Sequence, residues 1–311
     1  MKCLFRVSRA AMPALLAAVL ILSGCGRNGG AQAEGKVSVV TTFYPLYFLA
    51  VQIGGEDAHV VNLIPTGVEP HDWSPKSRDL QTVSQARLFL YNGAGLEAWT
   101  EDFLGGIGKS GSLTAVEASQ GIPLIKGASE EADGHGDTGV DPHTWVSPKS
   151  VLVMAGNVKE AFVQADPAHS KAYESRYEAL KNRLSELDAE FGKELAPYQG
   201  RDIVVSHQAF GYLCRDYGLK QVAVMGLSAE AEPRAQDLVD VIRFIKENGI
   251  KTIFFEELVS NKLTETIAGE TDARMLELNP LEGLSPEQEK AGEDYFSLMR
   301  RNLQNLVKAL Q

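Results

Sequence analysis

Residues 168–196 read AHSKAYESRYEALKNRLSELDAEFGKELA, and this stretch decides the architecture. It contains no proline and no cluster of helix breakers. Tyr173, Tyr177, Leu180, Leu184, Leu187, Phe191 and Leu195 follow one another at spacings of 4, 3, 4, 3, 4 and 4, one apolar stripe at helical period, while Lys, Arg and Glu fill the other faces. At about 1.5 Å per residue, roughly 29 residues predict a helix about 43 Å long, more than one small lobe is wide. A helix laid along both halves of a molecule accounts for that length. Asp166-Pro167 before it and Pro197 after it are suitable boundaries. A coiled-coil dimer seam is the competing reading, and the α/β pattern on both sides weighs against it.

Outward from the helix, short β-rich runs alternate with helical patterns. Upstream, Val37–Phe43, His59–Ile64, Leu88–Tyr91 and Ile122–Ile125 read as strands, with helices over Leu46–Ile53 and Ser77–Ala86. Downstream, Asp202–Ser206, Gln221–Met225, Thr252–Glu256 and Met275–Leu278 read as strands, with helices over Ala209–Tyr217, Ala235–Asn248 and Asn261–Thr271. Strands that alternate with helices build parallel sheets from βα units. The expected fold is therefore α/β: an N-terminal lobe over residues 37–165, a long linking helix over 166–197 and a C-terminal lobe over 198–311. No internal repeat of fixed period is apparent. Residues 129–139 (SEEADGHGDTG) are acidic and Gly-rich around a single His135, and read as an exposed loop.

The first 24 residues have the form of an export leader. Lys2, Arg6 and Arg9 precede an apolar run from Ala10 to Ile21, too short to span a bilayer comfortably, and Leu22-Ser23-Gly24-Cys25 matches a lipoprotein processing box. Cleavage before Cys25, with acyl chains on its sulfur and new N-terminus, predicts a stable membrane tether. The competing reading is an uncleaved N-terminal membrane anchor. Residues 25–36 are small and polar and read as the flexible tether. Without the three leader cations the chain carries 27 basic against 41 acidic residues, a net −14, which argues against nucleic acid as a partner. Of three cysteines, Cys3 leaves with the leader and Cys25 is acylated, so Cys214 stands alone. That excludes an intrachain disulfide and a cysteine-based zinc site, and Cys214 reads as a small buried apolar residue.

The six histidines differ in context. His71 lies in a Gly/Pro-rich loop, Thr66-Gly-Val-Glu-Pro-His-Asp-Trp-Ser-Pro75, and His143 in Asp141-Pro-His-Thr-Trp145. His207 directly ends the strand 202–206. Loops at the carboxyl ends of parallel strands converge on one crevice, so these three are candidate co-ligands despite separations of 72 and 64 residues. Two share the local pattern Pro-His-x-Trp, in which Trp73 and Trp145 could wall a site from water. His59 and His169 read as surface residues, and His135 as an occasional metal contact.

With these motifs assembled, the chain resembles the metal-specific solute-binding lipoproteins of ABC importers, in their zinc branch. The resemblance runs from the lipoprotein box to the C-terminus. It rests on the Pro-His-x-Trp loop at His71, on Asp141–Trp145, on Asp166-Pro167, on Val205-Ser-His-Gln-Ala-Phe-Gly-Tyr212 and on Leu278-Asn-Pro-Leu-Glu-Gly-Leu284. It implies two parallel-sheet α/β lobes joined by a rigid long helix, with metal in the cleft between them. It implies ligands at His71, His143 and His207, and Glu282 as the fourth, with a bound water as the competing occupant. Manganese-type relatives carry Glu where this chain has His207, and Asp near Asn279. The implied partners are a membrane permease and its cytoplasmic ATPase, with a monomeric binding protein tethered at Cys25. Many zinc-branch members have a long His-rich loop where this chain has only the segment around His135, so the resemblance does not extend to a scavenging role for that loop.

Donor chemistry points to the same metal. Three neutral imidazoles and a carboxylate suit tetrahedral Zn²⁺, whereas Mn²⁺ favours more oxygen donors and higher coordination. Cu²⁺ or Ni²⁺ would also bind such donors, so selectivity must come from geometry and metal supply. Protons compete for imidazole, so affinity is expected to fall as pH drops through about 6. Each ligand imidazole needs its other nitrogen held, and Glu69 and Asp141 are nearby without being assignable from spacing. Besides a zinc carrier, the sequence leaves a manganese or other transition-metal binding protein, an adhesin, and a zinc hydrolase. The hydrolase is disfavoured because no H-E-x-x-H motif is present and no separate general base stands beside a ligand.

Overall fold

The computed structural model describes residues 35–108, 113–126, 139–229 and 233–311. The leader, Cys25, most of the tether and the acidic loop with His135 lie outside the described residues. Among the described residues no helix is long and apolar enough to cross a membrane.

In chain order the N-terminal half runs β1 (Val37–Thr41), α1 (Tyr44–Gly54), β2 (Ala58–Asn62), α2 (Ser77–Ser84), β3 (Leu88–Tyr91), α3 (Thr100–Ile107), β4 (Thr114–Glu117) and α4 (Pro148–Ala165). Helix α5 (Ser170–Leu195) follows. The C-terminal half is β5 (Asp202–Val205), α6 (Gly211–Tyr217), β6 (Lys220–Ala223), α7 (Ala235–Asn248), β7 (Thr252–Phe255), α8 (Lys262–Thr271), β8 (Arg274–Glu277), α9 (Pro286–Ala291) and α10 (Tyr295–Leu310). The strands form two four-stranded sheets in the orders β2-β1-β3-β4 and β6-β5-β7-β8, and every pairing is parallel. The expected two-lobed parallel α/β architecture is the observed one. The lobes repeat one topology without any sequence repeat, because strand order is set by βα connection geometry rather than by particular residues.

One strand differs from expectation. Ile122–Ile125 forms no strand, and the fourth strand of the first sheet is β4 instead. Ile122 is buried, which produced the apolar signal, but Pro123 lacks the N–H a ladder needs. Strand β4 lies at the sheet edge with Thr114 and Ala115 exposed and Val116 and Glu117 half-buried, too little buried apolar surface to announce itself.

Helix α5 spans 26 residues, about 39 Å at 1.5 Å per residue. The stripe buries Tyr173, Leu180, Leu184, Leu187, Phe191 and Leu195. Tyr177 is its exception: it stays half-exposed beneath the ammonium groups of Lys159 and Lys181, 5.5 and 5.8 Å from its ring. Near its start, Arg176 caps the end of α1 by donating to Gly54 O at 2.7 Å and pairs with Asp57. Near its end, Phe191 packs on Tyr217 of α6, and Glu190 pairs with Arg300 of α10 at 3.0 Å. The C-terminal helix returns to the first lobe, where Tyr295 and Phe296 pack on Phe48 of α1. One apolar core therefore runs through both lobes along α5, with smaller clusters behind each sheet. His169 lies at the surface as expected, but in the short turn before the helix rather than in its first turn. It is held by Asp166, 2.7 Å from its Nδ1, and this pairing raises its pKa.

Candidate metal centre

Both sheets reverse strand order at their second and third positions, and polar side chains gather where loops leave the carboxyl ends of these strands. His207 is the second residue past β5, and Glu256 the first past β7, so the two face each other across the reversal point of the second sheet. Both oxygens of Glu256 lie 2.7 Å from His207 Nδ1, and Ser206 Oγ donates to the same carboxylate. His143 lies on the long connection after β4, with Asp141 Oδ1 accepting both its ring Nδ1 at 2.8 Å and its main-chain N–H at 3.0 Å. His71 lies on the loop after β2, where Glu69 accepts its main-chain N–H at 3.0 Å. Glu282 follows β8 on a turn with Leu281 at φ 59°, braced by Asn279 Oδ1 accepting the Leu281 N–H and by Asn302 of α10 bonding Asn279 through both main-chain groups.

These loops bring His71, His143, His207 and Glu282 together, each offering one donor atom within 4.8 Å of all the others. Five of the six separations are resolved as close contacts. His143 Nε2 stands 3.0 Å from His71 Nε2 and 3.2 Å from His207 Nε2. Glu282 Oε1 stands 3.4, 3.3 and 3.4 Å from the Nε2 atoms of His71, His143 and His207. Four donors bound tetrahedrally at ~2.0–2.1 Å stand roughly 3.3–3.4 Å apart, close to all five values.

The protonation pattern agrees with the distances. A neutral imidazole carries one N–H, and a carboxylate beside Nδ1 draws it there, leaving the Nε2 lone pair free. In their neutral forms His143 and His207 would therefore direct Nε2 lone pairs at each other and at Glu282 Oε1, which is buried without a hydrogen-bond partner. Acceptors converging in a buried space call for a cation. Burial pushes all these groups toward their neutral forms, but the charges reverse that for most of them. Asp141 and Glu282 raise His143 overall, Glu256 and Glu282 hold His207 well above 6.5, and the three imidazoles hold the Glu282 carboxyl well below its usual range. For His71 burial prevails and the value is lowered. Glu69, buried beside Glu282, is pushed up to about 9 by burial and by that neighbour's charge.

Trp145 and Trp73 differ. Trp145 is fully buried, packs edge-on against Phe43, and donates its indole N–H to Pro280 O at 2.8 Å, which ties the His143 loop to the Glu282 loop. Trp73 is half-buried against Trp99 in the smaller cluster of the first lobe. His59 is exposed on β2, and Asn279 braces the turn. Cys214 is buried, and burial pushes its thiol up. The sequence reading missed Glu256, whose only signal was its position at a strand end, 49 residues from the imidazole it holds.

Known proteins are similar to this chain along nearly its whole length. Residues 39–309 match the family model described as ZnuA, zinc-uptake complex component A, periplasmic. The high-affinity zinc uptake system protein ZnuA of Bacillus subtilis is 37% identical over 306 residues, 95% of this chain and 96% of its own. The zinc-binding lipoprotein AdcA of Streptococcus pneumoniae is 35% identical over 298 residues, which cover 94% of this chain and 59% of AdcA. The crystal structure of the Zn(II)-bound ZnuA-like domain of that AdcA superposes with a TM-score of 0.77 at 34% identity, covering 89% of this chain and 99% of the domain.

Proposed function

We propose a function from the premise that this chain belongs to the ZnuA family of zinc-uptake components. It is the extracytoplasmic solute-binding component of an ABC zinc importer: it binds Zn²⁺ as cargo and hands it to a membrane permease driven by a cytoplasmic ATPase. It is a carrier and not an enzyme. In our reading the ion is held by Nε2 of His71, His143 and His207 and by Oε1 of Glu282, between the lobes over residues 37–165 and 198–311, with 166–197 linking them. The supporting observation is the set of five donor separations between 3.0 and 3.4 Å, which fits one tetrahedral ion. The carboxylate makes a water ligand unnecessary, and it cancels one of the two charges of the ion in a buried site.

The protein is further proposed to act as a monomer, tethered to the outer face of the membrane through acylated Cys25. Support comes from the Leu22–Cys25 box and from the word lipoprotein in the name of the AdcA relative. Elemental analysis of protein purified without added metal, followed by competition between Zn²⁺ and Mn²⁺, tests the metal assignment. One equivalent of zinc and preference for Zn²⁺ are expected, and a clear preference for Mn²⁺ overturns it. Glu282→Ala tests the fourth ligand: zinc affinity weakens and neither form hydrolyses ester or peptide substrates. Unchanged affinity would return that position to water.

A further inference from the structure

Glu97 is a buried carboxylate that touches no ligand. It sits at the strand-order reversal of the first sheet, where the second sheet has His207 and Glu256. Its Oε1 accepts from Thr42 Oγ1 at 2.7 Å and from the Asn92 N–H at 2.9 Å, and its Oε2 accepts from the Gly93 N–H at 3.0 Å. To wrap this carboxylate, Gly93, Ala94 and Gly95 all adopt positive φ, of 77°, 52° and 91°. For Ala94, which has a Cβ, that is a strained conformation, and such strain persists only where the surroundings over-determine it.

The residue so fixed is Asn92, fully buried one position past β3. Its Nδ2 donates to Pro142 O at 2.9 Å, and its Oδ1 accepts from Thr144 Oγ1 at 3.0 Å. These are the two residues flanking His143. Its Nδ2 also donates to Gly93 O in its own loop at 2.9 Å, and its carbonyl accepts the N–H of Ser119, just past β4, at 3.1 Å. One amide thus clamps the main chain before His143 and the side chain after it, while Asp141 orients the ring.

We propose that Asn92 is a positioning residue that sets metal selectivity, by fixing His143 Nε2 at the height a four-coordinate ion requires. The proposal rests on the ligand reading above. With the clamp intact, His143 cannot retreat to admit the extra oxygen ligands that Mn²⁺ prefers. With it loosened, the 3.0–3.2 Å separations between imidazoles relax and the site tolerates higher coordination.

The test uses the full chain with Co²⁺ as a spectroscopic probe, Zn²⁺/Mn²⁺ competition and melting of the metal-free protein. Thr144→Val removes one arm of the clamp with little change of shape, Thr144→Ser keeps the hydroxyl, and Asn92→Asp keeps the acceptor while losing the donor to Pro142. Asn92→Asp and Thr144→Val are expected to weaken zinc binding by about 10–100-fold, the usual cost of removing support behind a ligand. The preference for Zn²⁺ over Mn²⁺ should fall with it, and the intense visible bands of four-coordinate Co²⁺ should weaken. Thr144→Ser should match the wild type in all three. Where Asn92→Asp does not fold, the Val/Ser pair at 144 decides. Equal loss of zinc and manganese affinity, or an unchanged cobalt spectrum in Thr144→Val, overturns the proposal whatever the melting temperature does. A wild-type cobalt spectrum without four-coordinate bands overturns the ligand reading itself, and this proposal with it.

Discussion

Two loops of this molecule are built on nearly the same five residues, Glu69-Pro-His-Asp-Trp73 and Asp141-Pro-His-Thr-Trp145. In each, the acid accepts the main-chain N–H of the histidine two positions on, at 3.0 Å in both cases. They part at one methylene. The shorter Asp141 also reaches the ring Nδ1 of His143, whereas Glu69 extends toward Glu282. The second loop is further clamped by Asn92 and bolted to the other lobe through Trp145 and Pro280, and His143 is wholly buried. The first loop crosses to the Glu282 loop through Gly67 N–H to Leu284 O at 2.9 Å, and His71 keeps 11% of its side chain exposed. A shared motif thus supplies two of the proposed ligands with unequal stiffness: His143 is part of a preorganised frame, and His71 is the one with room to adjust.

Removing each imidazole should expose that inequality most strongly. His143→Ala strands the Asp141 carboxylate in a fully buried site, and breaking a buried pair in this way costs about 3–5 kcal/mol of stability in the metal-free protein. His71→Ala opens onto solvent and should change stability by less than about 1 kcal/mol. Both variants should bind zinc poorly. Urea denaturation without metal separates them, and equal losses would break the distinction between the loops.

The two acids give a smaller contrast. Asp141→Asn removes the charge that holds the His143 tautomer and should weaken zinc binding by about 10–100-fold. Glu69, pushed up to about 9, is protonated at neutral pH, so Glu69→Gln exchanges one neutral carbonyl for another. Its zinc affinity should stay within about 0.5 kcal/mol, roughly twofold, of the wild type. Parallel titrations with a zinc-competing dye read both, and a large loss in Glu69→Gln would mean that its carboxylate form takes part in binding.

Much of this was legible in the sequence because the signals were local. The stripe from Tyr173 to Leu195 carried the architecture, since a single 3.6-residue period needs no knowledge of what lies across the groove. Loop composition picked out His71 and His143, the strand end picked out His207, and resemblance to a family supplied Glu282. The support behind the ligands was not legible, because it is non-local: Glu256 meets His207 across 49 residues and Asn92 meets Pro142 across 50. Strand β4 escaped because an edge strand has little apolar surface to bury. The shared Pro-His-x-Trp pattern suggested equal walls for the site, and burial shows them to be unequal.

The pH dependence of zinc binding carries the same comparison in its smallest form. Zinc and protons compete for Nε2, so affinity falls wherever a ligand imidazole becomes protonated in the metal-free protein. Burial alone would move that window below 6.5, and for His71 it does. For the two imidazoles backed by carboxylates the neighbouring charges win, with His143 raised and His207 held well above 6.5. Protons therefore still compete as pH rises past 6.5, which places the window above the value near 6 expected for unassisted histidines. Each proton displaced contributes about tenfold in affinity per pH unit, or about 1.4 kcal/mol. Affinity should consequently keep climbing as pH rises past 6.5. Asp141→Asn should make that climb shallower by returning His143 toward its ordinary value, with His207 still setting its upper end, while Glu69→Gln leaves it in place. Affinity that levels off at pH 6.5 in the wild type would mean that the carboxylates orient the rings without charging them, and the stiffness of the second loop would then rest on hydrogen-bond geometry alone.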